Sequence, residues 1–280
     1  MRTLSSIFLS ILFVSTAFSQ GSDKLPKLKA EEIIAKHLAS IGTSDAIAAA
    51  KTHVYVGTGT LTSRSGFAGT LGGPIQFASS ENKLLFALIL NSNDYPYEKV
   101  GYDGKSLTTG RYKSKPTILG EFLRSNSVAL KRGLFGGVLN SAWPPINRSK
   151  GTVLEADGTG KVGDLQAYKL KFISGDNQGL IIKLYFDSQN FRHLRTEYET
   201  GAAQLIGPNP NRGIIATPSQ DQLTMIEEFS GFATSNGLTL PLGFKVEVST
   251  KTSTRSLIWT MKFSEVYFNE VLEDSVFKVS

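Results

Sequence analysis

The chain has 280 residues, enough for one large domain or two small ones with a full hydrophobic core. It contains no cysteine, which excludes a disulfide framework, thiol chemistry, a cysteine-ligated metal site and a lipid anchor on cysteine. The formal net charge is +6, but lysine and arginine are spread along the chain rather than clustered, so the charge pattern gives little support to nucleic-acid binding.

The first residues have the pattern of a secretory signal peptide. Arg2 is followed by an apolar run over residues 7–14 and then by Ala17-Phe18-Ser19, which fits cleavage after Ser19. The run is shorter than the roughly 20 apolar residues that a membrane-spanning helix needs. We therefore predict a signal peptide over residues 1–19 and one mature domain over residues 20–280, in the periplasm or secreted. Loss of Arg2 lowers the net charge from +6 to +5.

Two helices and a strand are predicted next. Apolar residues recur at helical spacing from Leu28 to Ile41, and Gly42 supplies a stop. A shorter helix follows a cap at Thr43 or Ser44 and runs to Lys51. The next features are a strand over His53–Thr62 and turns of small residues at Gly66, Gly69 and Gly72-Gly73-Pro74.

Further strands are predicted over Ile75–Ser79 and Lys83–Asn91. The second is apolar on both faces, so we expect it to be covered on both sides. A hairpin over Tyr95–Thr109 should turn at residues 102–105.

The pattern becomes helical between Thr117 and Pro145. A short helix is predicted around Ile118, and a second from Val128 to Leu139. The second is rich in glycine, which weakens it, yet it is too apolar for a polar surface. We interpret this stretch as a lid over an apolar face. Its closing side chains would be Leu134, Phe135 and Trp143, and its mobility would come from Gly133, Gly136 and Gly137.

Residues 165–199 alternate between apolar and polar side chains in three strands. This period of two predicts an antiparallel meander with one buried face and one solvent-exposed face, here called the dry face and the wet face. The first strand places Tyr168, Leu170 and Phe172 on the dry face, the second Leu180, Ile182, Leu184 and Phe186. In the third, Leu194 and Tyr198 are predicted to be dry, and His193, Arg195, Glu197 and Glu199 wet. A second sheet, helices or an apolar ligand must cover the dry face.

The last part of the chain returns to strands after a long loop. The loop, Gly201–Gln220, is predicted to be functional or disordered. Strands are predicted over Gln222–Ala233, Phe244–Thr250 and Ser256–Phe268. The last of them presents one apolar face made of Leu257, Trp259, Met261 and Phe263.

Motifs for catalysis or metal binding are not found in this sequence. His37, His53 and His193 are far apart and lack ligand spacing, so we interpret them as structural. Residues 158–163 match the glycine pattern of a dinucleotide site, but a strand rather than a helix follows, which favours a hairpin turn. The Asn147-Arg148-Ser149 sequon has meaning only in a eukaryotic host.

Acidic pairs also argue against catalysis. Glu227 and Glu228 are adjacent on a strand and therefore point to opposite faces, which disfavours a carboxylate dyad. Glu197 and Glu199 share the wet face with Arg195 and are predicted to form a solvated charge row. We expect neither enzymatic activity nor a cofactor or metal.

Three stretches together resemble a known family. They are Leu28–Thr62, the hairpin from Leu184-Tyr185-Phe186-Asp187 to Leu194-Arg195, and the C-terminal pair Phe263–Asn269 and Leu272–Phe277. The pattern is similar to the exported outer-membrane lipoprotein-sorting (LolA-like) group, over most of the mature chain. The chain departs from that group in its greater length, in the Gly201–Gln220 insertion and in the lack of a match to the carriers' functional arginine.

The resemblance implies an α+β fold, in which a strongly curved antiparallel half-barrel of about ten strands holds helices on its concave face. The helical stretches would be Leu28–Lys51 and Thr117–Asn140. An apolar cavity lies between sheet and helices in this group, and its carriers hold the acyl chains of lipoproteins. In this chain the predicted lining is Tyr168, Leu170, Phe172, Leu257, Trp259, Met261 and Phe263.

Three functional hypotheses follow. The first is non-enzymatic binding of a lipid or an acylated lipoprotein in the periplasm. The second is a structural or protein-interaction module of the cell envelope, without a ligand cavity, whose sheet edge or Gly201–Gln220 loop contacts a protein partner. The third is a hydrolase with an unrecognised site, which the missing motifs disfavour.

Overall fold

The computed structural model describes residues 25–64, 69–112, 115–143, 145, 151–176, 179–200, 223–250 and 256–279. The predicted signal peptide, Gly66, the Asn147 sequon and the Gly201–Gln220 loop lie outside these residues. Among the described residues, no helix is both long and apolar enough to cross a membrane.

Two N-terminal helices form where the sequence predicts them. Helix α1 (Ala30–Ile41) buries its apolar stripe, and at its start the backbone N–H of Lys29 donates to Glu32 Oε2 at 2.7 Å. Helix α2 (Ser44–Ala49) begins after Thr43, whose Oγ1 accepts from the backbone N–H of Ala46 at 3.2 Å.

The second helical stretch is less regular than predicted. It contains α3 (Ile118–Ser125), α4 (Val128–Lys131) and a 3₁₀ helix (Gly137–Leu139). The prediction of one helix from Val128 to Leu139 is wrong because Gly133, Gly136 and Gly137 adopt positive φ angles of 65°, 83° and 51°. Such angles end an α-helix, and glycine reaches them without steric cost.

Fourteen strands are found among the described residues. The N-terminal group comprises β1 (Thr52–Ser63), β2 (Thr70–Ser80), β3 (Lys83–Ile89), β4 (Tyr97–Tyr102) and β5 (Leu107–Thr109). Two short strands follow, β6 (Arg111–Tyr112) and β7 (Lys115–Pro116). The C-terminal group comprises β8 (Thr152–Val162), β9 (Leu165–Ser174), β10 (Leu180–Asp187), β11 (His193–Thr200), β12 (Leu223–Ser235), β13 (Leu238–Thr250) and β14 (Ser256–Phe268).

Twelve strands form a single antiparallel sheet. Its order is β5-β4-β3-β2-β1-β14-β13-β12-β11-β10-β9-β8, so two meanders meet where β1 pairs with β14. Strands β6 and β7 form a separate hairpin. The sheet is curved and does not close, and the helices lie against its concave face. The predicted α+β half-barrel is confirmed, with twelve strands rather than about ten.

Both faces of β3 are covered, as its sequence predicts. Phe86 belongs to the main core on the concave side. On the opposite side, Val54, Ala78 and Leu85 pack against Phe277 of a C-terminal 3₁₀ helix (Asp274–Phe277). The C-terminus therefore covers the outer face of the first meander.

Two local predictions are wrong. Gly72-Gly73-Pro74 lies within β2 rather than in a turn, paired with residues 58–60 of β1. The predicted faces of His193 and Leu194 are the second error. A β-bulge at Leu194 shifts the register between β10 and β11, so that Tyr185 pairs with Arg195 but Phe186 pairs with His193. This extra residue puts His193 into the core and Leu194 into a small cluster with Ala167 and Tyr185.

The pairing of β1 with β14, which has a β-bulge at Ser264 of β14, gives a test of the packing between the two meanders. A methyl group on Gly57 would overlap the carbonyl oxygen of Lys262 and lie 2.7 Å from Phe263 Cα, whereas one on Gly72 would meet nothing closer than 3.6 Å. We expect Gly57→Ala to lower the free energy of unfolding by about 1–3 kcal/mol, because the clash is with backbone. Gly72→Ala, the matched control, should leave it nearly unchanged. Urea denaturation of both variants measures this, and equal stabilities would contradict the β1–β14 register.

Candidate functional site

The side chains predicted to line a cavity lie in one continuous core on the concave side. Tyr168, Leu170 and Phe172 of β9 belong to it, together with Trp259, Met261 and Phe263 of β14. None of these six is more than 4% exposed. Leu257 is partly buried against the same core. The core is closely packed by the protein's own side chains, and a role in ligand binding stays a prediction.

The predicted lid residues are also buried. We call residues 133–143 the lid segment. Leu134, Phe135 and Trp143 are fully buried within it. The ring of Phe135 lies edge-on to Phe86 and Phe244, with centroids 6.1 Å from each. The lid segment is thus packed into the concave face of the sheet rather than lying above it.

A buried carboxyl group ties the lid segment to the sheet. Glu227 lies on β12 and is completely buried. Its Oε1 accepts from the backbone N–H of Gly136 at 2.7 Å, and its Oε2 accepts from the Tyr198 hydroxyl at 2.6 Å. These two bonds connect the lid segment, β12 and β11. The left-handed turn at Gly136 is what presents its N–H to the carboxyl group.

The two adjacent glutamates have opposite electrostatic environments. Burial raises the pKa of Glu227 to about 8, although the Tyr198 and Gly136 hydrogen bonds act to lower it. Burial alone would also raise the pKa of Glu228, but Lys245 and Arg195 outweigh it and hold that pKa below its usual value. Lys245 Nζ lies 2.9 Å from Glu228 Oε2 on the other face of the sheet. The prediction that the pair points to opposite faces is confirmed.

Two histidines and a tryptophan form the other polar contact under the lid segment. Trp143 Nε1 donates to His37 Nε2 at 3.0 Å, and His37 Nδ1 bonds to the carbonyl oxygen of Phe191 at 3.0 Å. The Trp143 ring stacks on His193 with centroids 4.5 Å apart. Burial lowers the pKa of His37 to about 4, opposed by the Phe191 carbonyl. Burial also lowers the pKa of His193, with His37 adding to the effect.

These histidines hold elements together. His193 Nε2 bonds to the carbonyl oxygen of Arg195 at 3.0 Å, and His53 Nδ1 bonds to that of Leu139 at 3.1 Å. The placement of His193 on the wet face was wrong because of the bulge at Leu194. Each ring bonds to a backbone carbonyl, which fits the structural interpretation. In the described part of the chain, no group of three or more metal-ligating side chains comes together.

Several buried polar atoms lack hydrogen-bond partners among the described residues, and two of them belong to large aromatic side chains of the core. These two are the hydroxyl oxygen of Tyr55 and Nε1 of Trp259, and both side chains are completely buried. A buried unpaired donor costs about 1–3 kcal/mol. Trp259 is one of the predicted lining residues, so its free N–H is a position at which a polar atom from outside the chain would be stabilised.

An open cleft lies between the N-terminal helices and the lid segment. We call it the seam cleft, and its volume is about 1170 Å³. Its walls come from α1 and α2 on one side, from α4 and the end of the lid segment on the other, and from the β2–β3 turn. The lining side chains include apolar Leu38, Ile47, Ala48, Ala50 and Ala142 and polar Ser44, Lys51, Glu81, Asn82, Lys131, Arg132 and Ser141.

A narrow void lies next to the seam cleft, closer to the core. The void has a volume of about 20 Å³ and shares Ile47, Ala50 and Ser141 with the cleft. Its inner wall includes His53 and Leu240. Helix α2 separates the two spaces, and none of its residues is fully buried. It is therefore the part of the helical cover with the weakest attachment to the core.

Sequence reasoning missed the seam cleft and the role of Glu227. The signal for Glu227 was present, because period-two alternation places it on the same face of β12 as Met225 and Phe229. The seam cleft left no such signal, since it depends on how two helical stretches far apart in sequence meet.

No protein-family model matches the sequence, and a search of curated proteins gives no match. Solved structures do match. A LolA superfamily protein from Nitrosomonas europaea is 16% identical and aligns over 90% of this chain and 99% of its own, with a TM-score of 0.50. The chain has a LolA-like fold. At this identity the likeness shows the fold alone.

Two further structures align over a similar extent with lower scores. A DUF1329 family protein from Desulfovibrio piger is 10% identical and aligns over 89% of this chain and 97% of its own, with a TM-score of 0.48. A protein from Vibrio parahaemolyticus, described as a putative outer membrane lipoprotein-sorting protein domain, is 10% identical over 88% and 94%, with a TM-score of 0.44.

The raised pKa of Glu227 predicts a pH-dependent stability. A carboxyl group with a folded pKa of about 8 and an ordinary unfolded pKa near 4.5 binds its proton more tightly in the folded state. Its contribution is full below pH 4.5 and is lost as the pH rises to about 8. Relative to Glu227→Gln, the wild type should thus lose on the order of 2–4 kcal/mol between pH 5 and pH 9.

Glu228→Gln is the matched control for this experiment. The lowered pKa of Glu228 means that its contribution is complete above about pH 5. The difference between wild type and Glu228→Gln should therefore stay constant from pH 5.5 to pH 9. Chemical denaturation across this range measures both differences. A constant difference for Glu227→Gln as well would show that the pKa of Glu227 is not raised in the folded protein.

The two tryptophans provide a second matched pair. Both are completely buried, but only the Trp143 N–H has a partner among the described residues, His37 Nε2. Trp143→Phe leaves that nitrogen without its donor and should lose about 1–3 kcal/mol more stability than Trp259→Phe. Both variants lose a similar ring volume, so the difference isolates the hydrogen bond. Thermal unfolding measures it, and equal losses would argue against the Trp143–His37 bond.

Proposed function

We propose that this protein binds a lipid or the acyl chain of a lipoprotein, without enzymatic chemistry, between its curved sheet and its helical cover. The observation that carries this proposal is the seam cleft, whose apolar floor leads under α2 toward the apolar core. Acyl chains bind to concave apolar surface, which Leu38, Ile47 and Ala50 provide in the cleft. Leu238 and Leu240 provide it in the void. The LolA-like fold supports the same function, and the N-terminal pattern supports export to the periplasm.

The proposed path leads from the seam cleft into the core that holds the lining residues predicted from the sequence. An acyl chain that entered beneath α2 would first meet His53 of β1 and Leu238 and Leu240 of β13. Both leucines belong to the same core as the predicted lining residues. Met261 is among these lining residues, and methionine adapts its shape to flexible chains. The lid residues Leu134, Phe135 and Trp143 would cover the bound chain. The unpaired N–H of Trp259 would be available to a polar atom of the ligand.

Access to this region is proposed to occur by displacement of α2. The lid segment is held by the Glu227 and His37 hydrogen bonds and by fully buried aromatic rings. Helix α2 has none of these, and its six residues are all partly exposed. Elements with few buried contacts open at the lowest free energy. The helix therefore moves first, and the lid segment adjusts around the ligand.

A protein-interaction function is the second candidate, favoured by one feature of the outer face. A depression of about 670 Å³ lies beside Glu228 and Lys245 and is lined in part by Leu165, Leu194 and Leu242. Leu165 is 49% exposed. An apolar depression with a charged rim fits side chains of a partner protein. Native mass spectrometry of the purified protein separates the candidates, since a bound lipid supports carriage and a co-purified protein supports interaction.

A reversible cross-link tests access through α2. The Cβ atom of Ala46 lies 3.5 Å from the position of a Cβ atom on Gly237, within the range of a disulfide bond. The chain has no cysteine of its own, so Ala46→Cys with Gly237→Cys gives a single pair. We expect the oxidised protein to bind laurate at least about tenfold more weakly than the reduced protein, measured by isothermal titration calorimetry.

Gly237→Cys alone is the control, since the residue has a positive φ of 76° that a side chain strains. Its affinity for laurate should not change with oxidation. Equal affinity of the oxidised and reduced double variant would reject the opening of α2. Absence of laurate binding in the wild type would reject the proposed function itself.

A further inference from the structure

The rim of the seam cleft carries charge that an uncharged lipid would not use. Lys51 lies at the end of the α2 wall, and Lys131 lies on α4 in the opposite wall. Both side chains are exposed. Within the described residues, neither takes part in an ion pair.

Arg132 adds a third cation, but its charge is already engaged. Its guanidinium group bonds to Asp176 at 3.2 Å, and Asp176 is not part of the cleft. Glu81 is the single acidic residue among the described lining residues. The two lysines therefore leave a net positive potential at the rim of a cleft whose apolar lining includes Leu38 and Ile47.

The arrangement separates charge from apolar surface in the manner of an amphiphile site. Lysine presents a compact, strongly hydrated ammonium group on a flexible stem, which suits a solvated anion at an open rim. The apolar part of the cleft lining offers no ionic partner and favours contact with a hydrocarbon chain. A ligand with one anionic group at the end of an acyl chain complements both parts at once.

We propose that the seam cleft selects anionic amphiphiles, with the anionic head between Lys51 and Lys131 and the acyl chain on the floor toward the void at His53. This inference rests on the proposed function and adds the charge class of the ligand. The anion is a carboxylate or a phosphate, and the two sources share this chemistry.

Matched ligands and variants test the proposal. Laurate and monolauroylglycerol share one acyl chain and differ in charge, and dodecyl phosphate replaces the carboxylate by a phosphate. An exposed ion pair contributes about 0.2–1 kcal/mol, which is a factor of about 1.4–5 in affinity. The double variant Lys51→Gln with Lys131→Gln should therefore bind laurate or dodecyl phosphate about 2- to 25-fold more weakly than wild type. Its affinity for monolauroylglycerol should stay within about twofold, because that ligand has no charge to lose.

Lys105→Gln is the control, since this exposed lysine lies in the β4–β5 turn, outside the seam cleft. It should leave all three affinities unchanged. Titration calorimetry at 0.05 M and 0.5 M NaCl should also show weaker binding of the anions at high salt, because exposed charges are screened.

Acyl-chain binding and selection for anionic ligands are tested separately by these measurements. If laurate and monolauroylglycerol bind equally and the lysine variants change neither, acyl-chain binding stands and charge selection is overturned. If the double variant binds laurate and monolauroylglycerol more weakly by the same factor, the lysines affect the shape of the cleft rather than selecting for charge. The inference is overturned in that case as well. If no ligand binds to the wild type, the proposed function falls together with this inference.

Discussion

A curved sheet with one apolar face is stable only when that face is covered, and the rest of this structure follows from that constraint. The two meanders bring a large apolar surface to the concave side, where the hydrophobic effect favours any apolar cover. The chain supplies the cover from α1 and α2, which precede β1, and from the helical stretch between the two meanders. Glu227 fixes its position, because the carboxyl group accepts from Gly136 of the lid segment and from Tyr198 of the sheet.

Polar contacts, rather than helix propensity, give the cover a defined geometry. Gly133, Gly136 and Gly137 make the lid segment a poor helix, so packing and hydrogen bonds must hold it. Burying Glu227 and His37 carries a desolvation penalty, which is visible in the raised pKa of the first and the lowered pKa of the second. Each is stable in its neutral form with hydrogen-bond partners, and this removes the larger penalty of a buried charge.

The sequence was sufficient for the elements whose pattern is local. Period-two alternation predicted β9, β10 and β14 with their apolar faces, and Thr43 was among the two caps offered for α2. It failed where one residue changes the register, since the bulge at Leu194 reversed the face of His193. It also failed at Gly72-Gly73, which lies in β2 rather than in a turn, and where Gly73 allows the close approach of Ile89 of β3. The seam cleft lies between helical stretches that are far apart in sequence, so no local pattern could predict it.

The closely packed concave core can accept a ligand when the free energy needed to open the helical cover is smaller than the free energy gained by burying the acyl chain. Burial of about 11 methylene and methyl groups at about 0.8 kcal/mol each provides roughly 9 kcal/mol. Detaching the lid segment would break the Glu227 and Trp143 hydrogen bonds and expose Phe135, whose loss alone costs about 3–5 kcal/mol in comparable cores. Helix α2 has no fully buried side chain of its own to expose. A carrier must also release its ligand, and a small opening at α2 gives a path in both directions while the buried carboxyl group keeps the rest of the cover in place.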